Sequence, residues 1–374
     1  MSLKSFIPHA LPITSLDWEK LAIPIGRANA SVSLYNGLLR SIPNPHILLS
    51  PMTTQEAVLS SRIEGTQASL SDVFKFEAGE SYSQEEDRDI REIMNYRKTL
   101  FGAEELLEKT PVIHLNMLKE LHTILLSGVR GANKARGEFR KVQNFIGAYG
   151  ATIEQALYIP PSPDKVLPAL DAWEKYINSE QQEVFIQLAV LHAQFEIIHP
   201  FLDGNGRLGR ILIPLFLYQT GILTKPVFYL SQYFEEHRDT YYQKLRGITQ
   251  NNDWQGWVLF FLNAVIEQAN INTIKVEAIL NLYKKTREQL VALTNSSYAI
   301  KTLDALFFKP IISSKEIMLK IEGTYKSTVL DILRKLETAG IITTIKKGSG
   351  RAASVYAFPE LINLTEGREI HVNE

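Results

Sequence analysis

A mainly α-helical fold is what this 374-residue sequence predicts, with one β-hairpin and a small C-terminal unit of helices and strands. Three observations predict it. Apolar residues recur at helical spacing over long stretches, as in Ile93, Leu100, Leu106 and Leu107, and again in Phe185, Leu188, Ala189, Leu191 and Phe195. Strand-forming residues and turn glycines concentrate between Gly137 and Gly147 and are followed by Ala156–Pro161, which reads as a hairpin. Past residue 300, two short helical patterns precede two apolar strand-like runs.

In chain order, residues 1–50 hold scattered prolines, Ile42-Pro43-Asn44-Pro45 among them, and read as short helices and loops. Thr53 and Glu56 have the spacing of a capping box, from which a helix can run to Glu64. Gly65 is placed to end it in the left-handed conformation. That leaves Glu64 at the negative end of the helix dipole, where an acid is mildly unfavourable. The charged run Gln84–Asp89 reads as a solvated loop and helix start, leading into helices over 90–107 and near 114–126. His114, His122 and His192 read as core or surface histidines, since none has the short spacing of a zinc site. Helices are expected over 166–178 and 183–195, over the apolar run Ile211–Tyr218 with Pro214 as a candidate kink, over Trp254–Val265, and over Ile274–Leu293 as a linker. In the tail, Ser314 is placed to cap a helix to Lys320. Gly323-Thr324-Tyr325 then turns into a second helix, Lys326 to Thr338, ending at Gly340. Ile341–Ile345 and Val355–Phe358 read as strands around Lys346–Arg351.

Composition narrows the function classes. The chain is 45% hydrophobic and 22% charged, with a net charge of −1, so it has no overall bias toward nucleic acid or membrane. It has no cysteine, which removes disulfides, thiolate metal sites and cysteine nucleophiles. The N-terminal residues lack a signal-peptide core, and no apolar run approaches the ~20 residues of a membrane span, so a cytoplasmic protein is expected.

Chemistry concentrates in Ile198–Arg210, where a His, a carboxylate, three glycines, an Asn and two arginines crowd together. Gly204-Asn205-Gly206 leading into a helix leaves backbone N–H groups pointing at one spot, and the helix dipole favours an anion there. Arg207 and Arg210 are three apart, share a face and can grip one polyphosphate. Asp203 could hold a Mg²⁺ bridging phosphate oxygens. His199 is the side chain suited to take a proton near neutral pH.

This stretch resembles the signature of the Fic family, His-Pro-Phe-x-Asp/Glu-Gly-Asn-Gly-Arg-x-x-Arg, and matches every defined position. Ser60-x-x-x-Glu64-Gly65 resembles the family's inhibitory motif. The resemblance implies a Fic-type helical core that transfers AMP from ATP to a protein hydroxyl. It makes His199 the base and Asp203 the ligand for Mg²⁺. Gly204, Asn205, Gly206, Arg207 and Arg210 bind the nucleotide, and Phe201 fixes the loop. Glu64, with Ser60, would block productive ATP binding by pairing with Arg210. Tyr242 either borders the adenine or packs in the core. The hairpin is either an ordinary surface feature or the flap on which the family docks its protein substrate by strand addition. Fic relatives that act as kinases carry Lys where this chain has Gly206.

The tail resembles a winged helix. Between Lys301 and Phe358, ten Lys/Arg against five Asp/Glu leave a net of +5, which suits DNA phosphates, although winged helices also dock proteins. The expected organisation is an N-terminal helical region over 1–110, a catalytic core over 111–270, a linking helix over 271–299 and a winged-helix domain over 300–374. ATP and a protein substrate are the expected partners. DNA and a homodimer are open readings, and no membrane is expected. The alternatives are an AMP-removing enzyme and an ATP-sensing DNA-binding regulator.

Overall fold

The computed structural model describes residues 5–131, 133–147, 150–294, 296–321, 325–349 and 352–367. The expected turn at Gly323–Thr324 and the Gly350–Arg351 end of the expected wing lie outside the described residues. The chain is mainly helical, as the periodicity predicts, and the described residues form a three-stranded sheet in which Ile311–Ser313 joins the two expected tail strands. Among the described residues no helix is long and apolar enough to cross a membrane.

The chain divides into two units. One takes Met1–Asn36, Leu59–Gly65 and Asn95–Asn270; the other takes Gly37–Val58, Thr66–Met94 and Ile271–Glu374. At the centre of the first unit is the Val184–Ile198 helix, apolar on every side and buried at 13 of its 15 positions. A helix without a polar face must be surrounded. Pro163–Ile177, Asn205–Gln219 and Arg238–Asn251 pack on it. Trp173 and Trp257 bury their rings against it and donate their indole N–H to the carbonyls of Leu191 and Ala189, at 2.9 and 2.8 Å.

Several local expectations are corrected. The first fifty residues hold a long helix, Trp18–Ser41, which carries Pro24 inside it. The Thr53–Glu56 capping box does not form. The helix begins at Ser50, and Thr53, already inside it, donates its hydroxyl back to the Leu49 carbonyl. Trp254–Leu293 is one continuous helix of 40 residues where two were expected. Among the described residues between Gly137 and Pro161 the hairpin shrinks to a single antiparallel bridge, Ile146 to Tyr158, with a 3₁₀ turn at Ile153–Gln155. The Arg140 N–H is spent on the Pro200 carbonyl, and Pro160 and Pro161 have no N–H to extend a ladder.

In the second unit the sheet runs Ile311–Ser313, Val355–Ala357, Thr343–Lys346, all antiparallel, with Ala357 paired to both Ile311 and Thr343. Leu70–Glu77 packs on the Ile311–Ser313 strand, and Pro45–Leu48 on the Ala299–Phe308 helix. The cap of Ser314–Lys320 is Ser313, one residue earlier than expected, in a full capping box with Glu316. Lys326–Thr338 buries Val329, Ile332, Leu333 and Leu336 at helical spacing.

Candidate active site

The Val184–Ile198 helix ends where His199 adopts a left-handed backbone, φ 48°, and Pro200 follows. That conformation is uncommon for any residue but glycine. It turns the chain sharply into the loop 200–203. Gly204, also left-handed at φ 76°, starts the Asn205–Gln219 helix. The loop is cross-braced. Asn205 accepts from the Phe201 N–H and donates to the Phe201 carbonyl, both at 2.8 Å, so its side chain closes the loop and its backbone N–H joins those at the helix start. Phe201 is fully buried and stacks on the His122 ring at 3.8 Å.

His122 and Arg140 carry no spacing pattern that assigns them here, yet both hold the loop. His122 Nδ1 accepts from the Gly137 N–H at 2.9 Å, which leaves Nε2 to donate to the Asp203 carbonyl at 3.0 Å. Burial pushes its imidazole down to about 4, so the ring is neutral, as that bonding requires. Arg140 donates Nε to the His199 carbonyl at 2.9 Å, and Nη2 to the carbonyls of Pro161 and Ile198. A buried guanidinium spent on carbonyls fixes the backbone on both sides of the His199 turn.

His199 is also neutral. Burial lowers its imidazole to about 4, against the opposing pull of the Glu196 backbone and the Glu64 and Asp203 charges. Its Nδ1 is buried without a hydrogen-bond partner. Asp203 meets Lys134 Nζ at 3.2 Å and Arg207 Nη2 at 3.4 Å. Arg210 is 2% exposed and fully engaged on one side. Its Nε donates to Ser60 Oγ at 2.8 Å, and its Nη2 to the Ser60 carbonyl at 2.9 Å and to Glu64 Oε1 at 2.7 Å. Burial by itself would raise the Glu64 carboxyl. The Arg210 charge and hydrogen bond, helped by Arg207, bring it below its ordinary value.

These groups share a cavity of about 530 Å³ lined by Glu64, Glu196, His199, Gly206, Arg210 and Tyr242, with Ile146 and Tyr158 of the bridged segment beside them. Tyr242 is 37% exposed, and burial of its hydroxyl pushes it up to about 12. So the structure brings His199, Gly206, Arg210, Glu64 and Tyr242 to one cavity and Ser60 onto Arg210. Asp203 and Arg207 lie together on the adjoining loop and helix start.

This loop between two packed helices lies within a span that matches known protein families. A model described as Fic/DOC family N-terminal matches residues 23–105, and one described as Fic/DOC family matches residues 112–217, together about half of the chain. The chain belongs to the Fic/DOC family. It is 30% identical over 158 residues to the protein adenylyltransferase Fic of Aedes aegypti, and 31% over 158 residues to that of Culex quinquefasciatus. Each match takes in 41% of this chain but only 28% of the relative. A Fic family protein from Desulfovibrio desulfuricans G20 shares the fold over 94% of this chain and 98% of its own, with a TM-score of 0.55 at 19% identity. The C. elegans Fic-1 structure (aa134–508) also gives a TM-score of 0.55 at 19% identity, over 72% of this chain and 75% of its own.

Proposed function

We propose that the chain transfers AMP from ATP to a hydroxyl side chain of a protein, itself included, and that Glu64 holds it in an inhibited state. The observation that carries this is the Glu64–Arg210 pair, 2.7 Å long, in the cavity that also opens onto His199 and Gly206. A buried arginine at a helix start suits a phosphate, and the Glu64 carboxylate takes the position of an incoming terminal phosphate.

The reaction follows from the parts. The α-phosphate lies over the N–H groups from Gly204 to Gly206, and the adenine borders Tyr242. His199, neutral, takes the proton of the target hydroxyl. The oxygen attacks the α-phosphorus, the bond to pyrophosphate breaks, and pyrophosphate leaves toward Arg207 and Arg210. Phe201, His122 and Arg140 keep the loop in register. Asp203 is the residue that would hold Mg²⁺. A single carboxylate, 27% exposed, fits an ion that takes one or two carboxylates and draws its other ligands from phosphate and water. When bound, Mg²⁺ would neutralise phosphate charge. Intact-mass measurement of the Glu64→Gly chain after incubation with ATP and Mg²⁺ tests the reading: a gain of one AMP supports it, whereas a gain of one phosphate or no gain contradicts it.

Residues 300–374 are proposed as a winged helix that meets DNA phosphates, following in sequence a 1–110 helical region, a 111–270 core and a 271–299 linking helix. The order of helices and antiparallel strands, and the net charge of +5 between Lys301 and Phe358, support this. Tyr325, at the start of the Lys326–Thr338 helix, is 79% exposed. DNA affinity should fall steeply as salt rises, because condensed counterions are released on binding.

A further inference from the structure

Glu196 is an acid that this mechanism does not use. It lies on the Val184–Ile198 helix, one turn before His199, and lines the same cavity as Glu64, Gly206 and Arg210. Its Oε1 is cut off from solvent and has no hydrogen-bond partner. A buried polar atom left without a partner is costly, and in a native site it needs a reason. The neighbouring helix makes room for it. A Cβ on Gly209 would collide with Glu196 Oε1, just as a Cβ on Gly206 would collide with Glu64 Oε1. Two glycines one turn apart on the motif helix therefore seat two carboxyl groups close to Arg210.

We propose that the Glu196 carboxyl donates a hydrogen bond to a phosphate oxygen of the bound nucleotide. The inference rests on the cavity being a nucleotide site. The groups facing Glu196 are Arg210 from the motif helix, Glu64 from the end of the Ser50–Ile63 helix, Tyr241 and Tyr242 from the Arg238–Asn251 helix, and His199 just past the end of its own helix, with His192 one turn earlier on that helix. The tyrosines and histidines are neutral, and Glu64 already offsets Arg210. An ionised Glu196 would add uncompensated negative charge beside an incoming polyphosphate, whereas the protonated acid repels nothing and offers a donor. Burial, reinforced by the Glu64 charge and partly offset by Arg210, pushes the carboxyl up to about 7. A carboxylic acid kept neutral by its surroundings is a competent donor.

The test is calorimetric binding of α,β-methylene-ATP with Mg²⁺ to the full chain and to its Glu196→Gln and Glu196→Ala variants, at pH 6.5 and 8.5. The sign follows from the acid: the donor is present below pH ~7 and lost above it. Wild-type affinity should therefore fall roughly twentyfold across this range relative to Glu196→Gln, whose amide donates at both pH values. Referring wild type to the Gln variant cancels titration of the ligand's own phosphate. Proton uptake at pH 7.5 should accompany binding to wild type and be absent in Glu196→Gln. Glu196→Ala should bind weakly at both pH values. A Gln variant that follows the wild-type pH profile overturns the proposal. So does an Ala variant that binds as tightly as wild type at pH 6.5. Should the Ala variant not fold, the Gln comparison decides alone. If no variant binds nucleotide at either pH, the nucleotide-site reading falls first and this inference with it.

Discussion

Two buried histidines, His122 and His192, and the half-buried His199 give the site its neutral character, and they also tie stability to pH. His192 sits between the Gly209 carbonyl and the Tyr241 hydroxyl, and burial lowers it to about 3, while His122 and His199 are lowered to about 4. An unfolded chain protonates each near the ordinary value of 6.5, while the folded chain does not until far lower. The unfolded state thus binds more protons between pH 6.5 and about 4, so stability falls as pH drops through that window. The melting temperature should decline between pH 7 and 5, and His192→Gln should flatten that slope even if it lowers stability at pH 7. An unchanged slope contradicts the assignment. For chemistry, His199→Ala should leave nucleotide binding intact and cut AMP transfer by about 10²–10⁴-fold, the usual cost of losing a general base; unaltered transfer would remove His199 from that role. His199, Asp203, Arg207 and Arg210 were legible because they lie within twelve residues of one another. His122, Arg140 and Glu196 were not. They reach the loop through backbone carbonyls or across a helix crossing, and such contacts leave no spacing pattern in a sequence.

At the scale of elements, the crossing of the Val184–Ile198 and Asn205–Gln219 helices holds the site together. Gly209 lies under Glu196 at that crossing, and its added Cβ would also press Phe195 at 3.2 Å. Gly209→Ala should cost about 1–3 kcal/mol by overpacking, measured by denaturant unfolding. Pairing it with Glu196→Ala should recover part of that loss, because the acid's oxygen is the nearest obstacle. A strictly additive double variant contradicts the close approach. The helices themselves were legible from their apolar stripes. Two features were not. Trp18–Ser41 hides behind Pro24, which reads as a breaker although the helix tolerates it. The segment Gly137–Pro161 has strand residues, but its backbone is committed to the motif loop, a tertiary bond that composition does not reveal.

At the scale of the molecule, the second unit joins early and late parts of the sequence, a pairing that no linear reading of composition could anticipate. Leu70–Glu77 buries Leu70, Val73 and Phe74 and packs on the Ile311–Ser313 strand. A chain cut near Val291 should therefore expose those side chains and lose solubility or cooperative unfolding, and clean unfolding of the truncated chain would contradict that packing. DNA binding is better probed in the full chain. Lys346→Glu with Lys347→Glu should weaken binding to every sequence alike and lower the salt slope by roughly one per lost phosphate contact. An unaltered slope moves the tail to docking protein.

Under the proposed function, Glu64 restrains AMP transfer by occupying Arg210. The most direct measurement is the rate of AMP incorporation, by intact mass, in wild type and Glu64→Gly. The substitution frees Arg210 and removes a carboxylate from the path of the polyphosphate. Glu64 lies just past the last turn of its helix, so the fold should tolerate the change. Transfer should rise well over tenfold, a change of at least about 1.4 kcal/mol in the barrier. Adding Arg210→Ala should remove most of the gain. A folded Glu64→Gly chain that transfers AMP no faster than wild type would contradict the account.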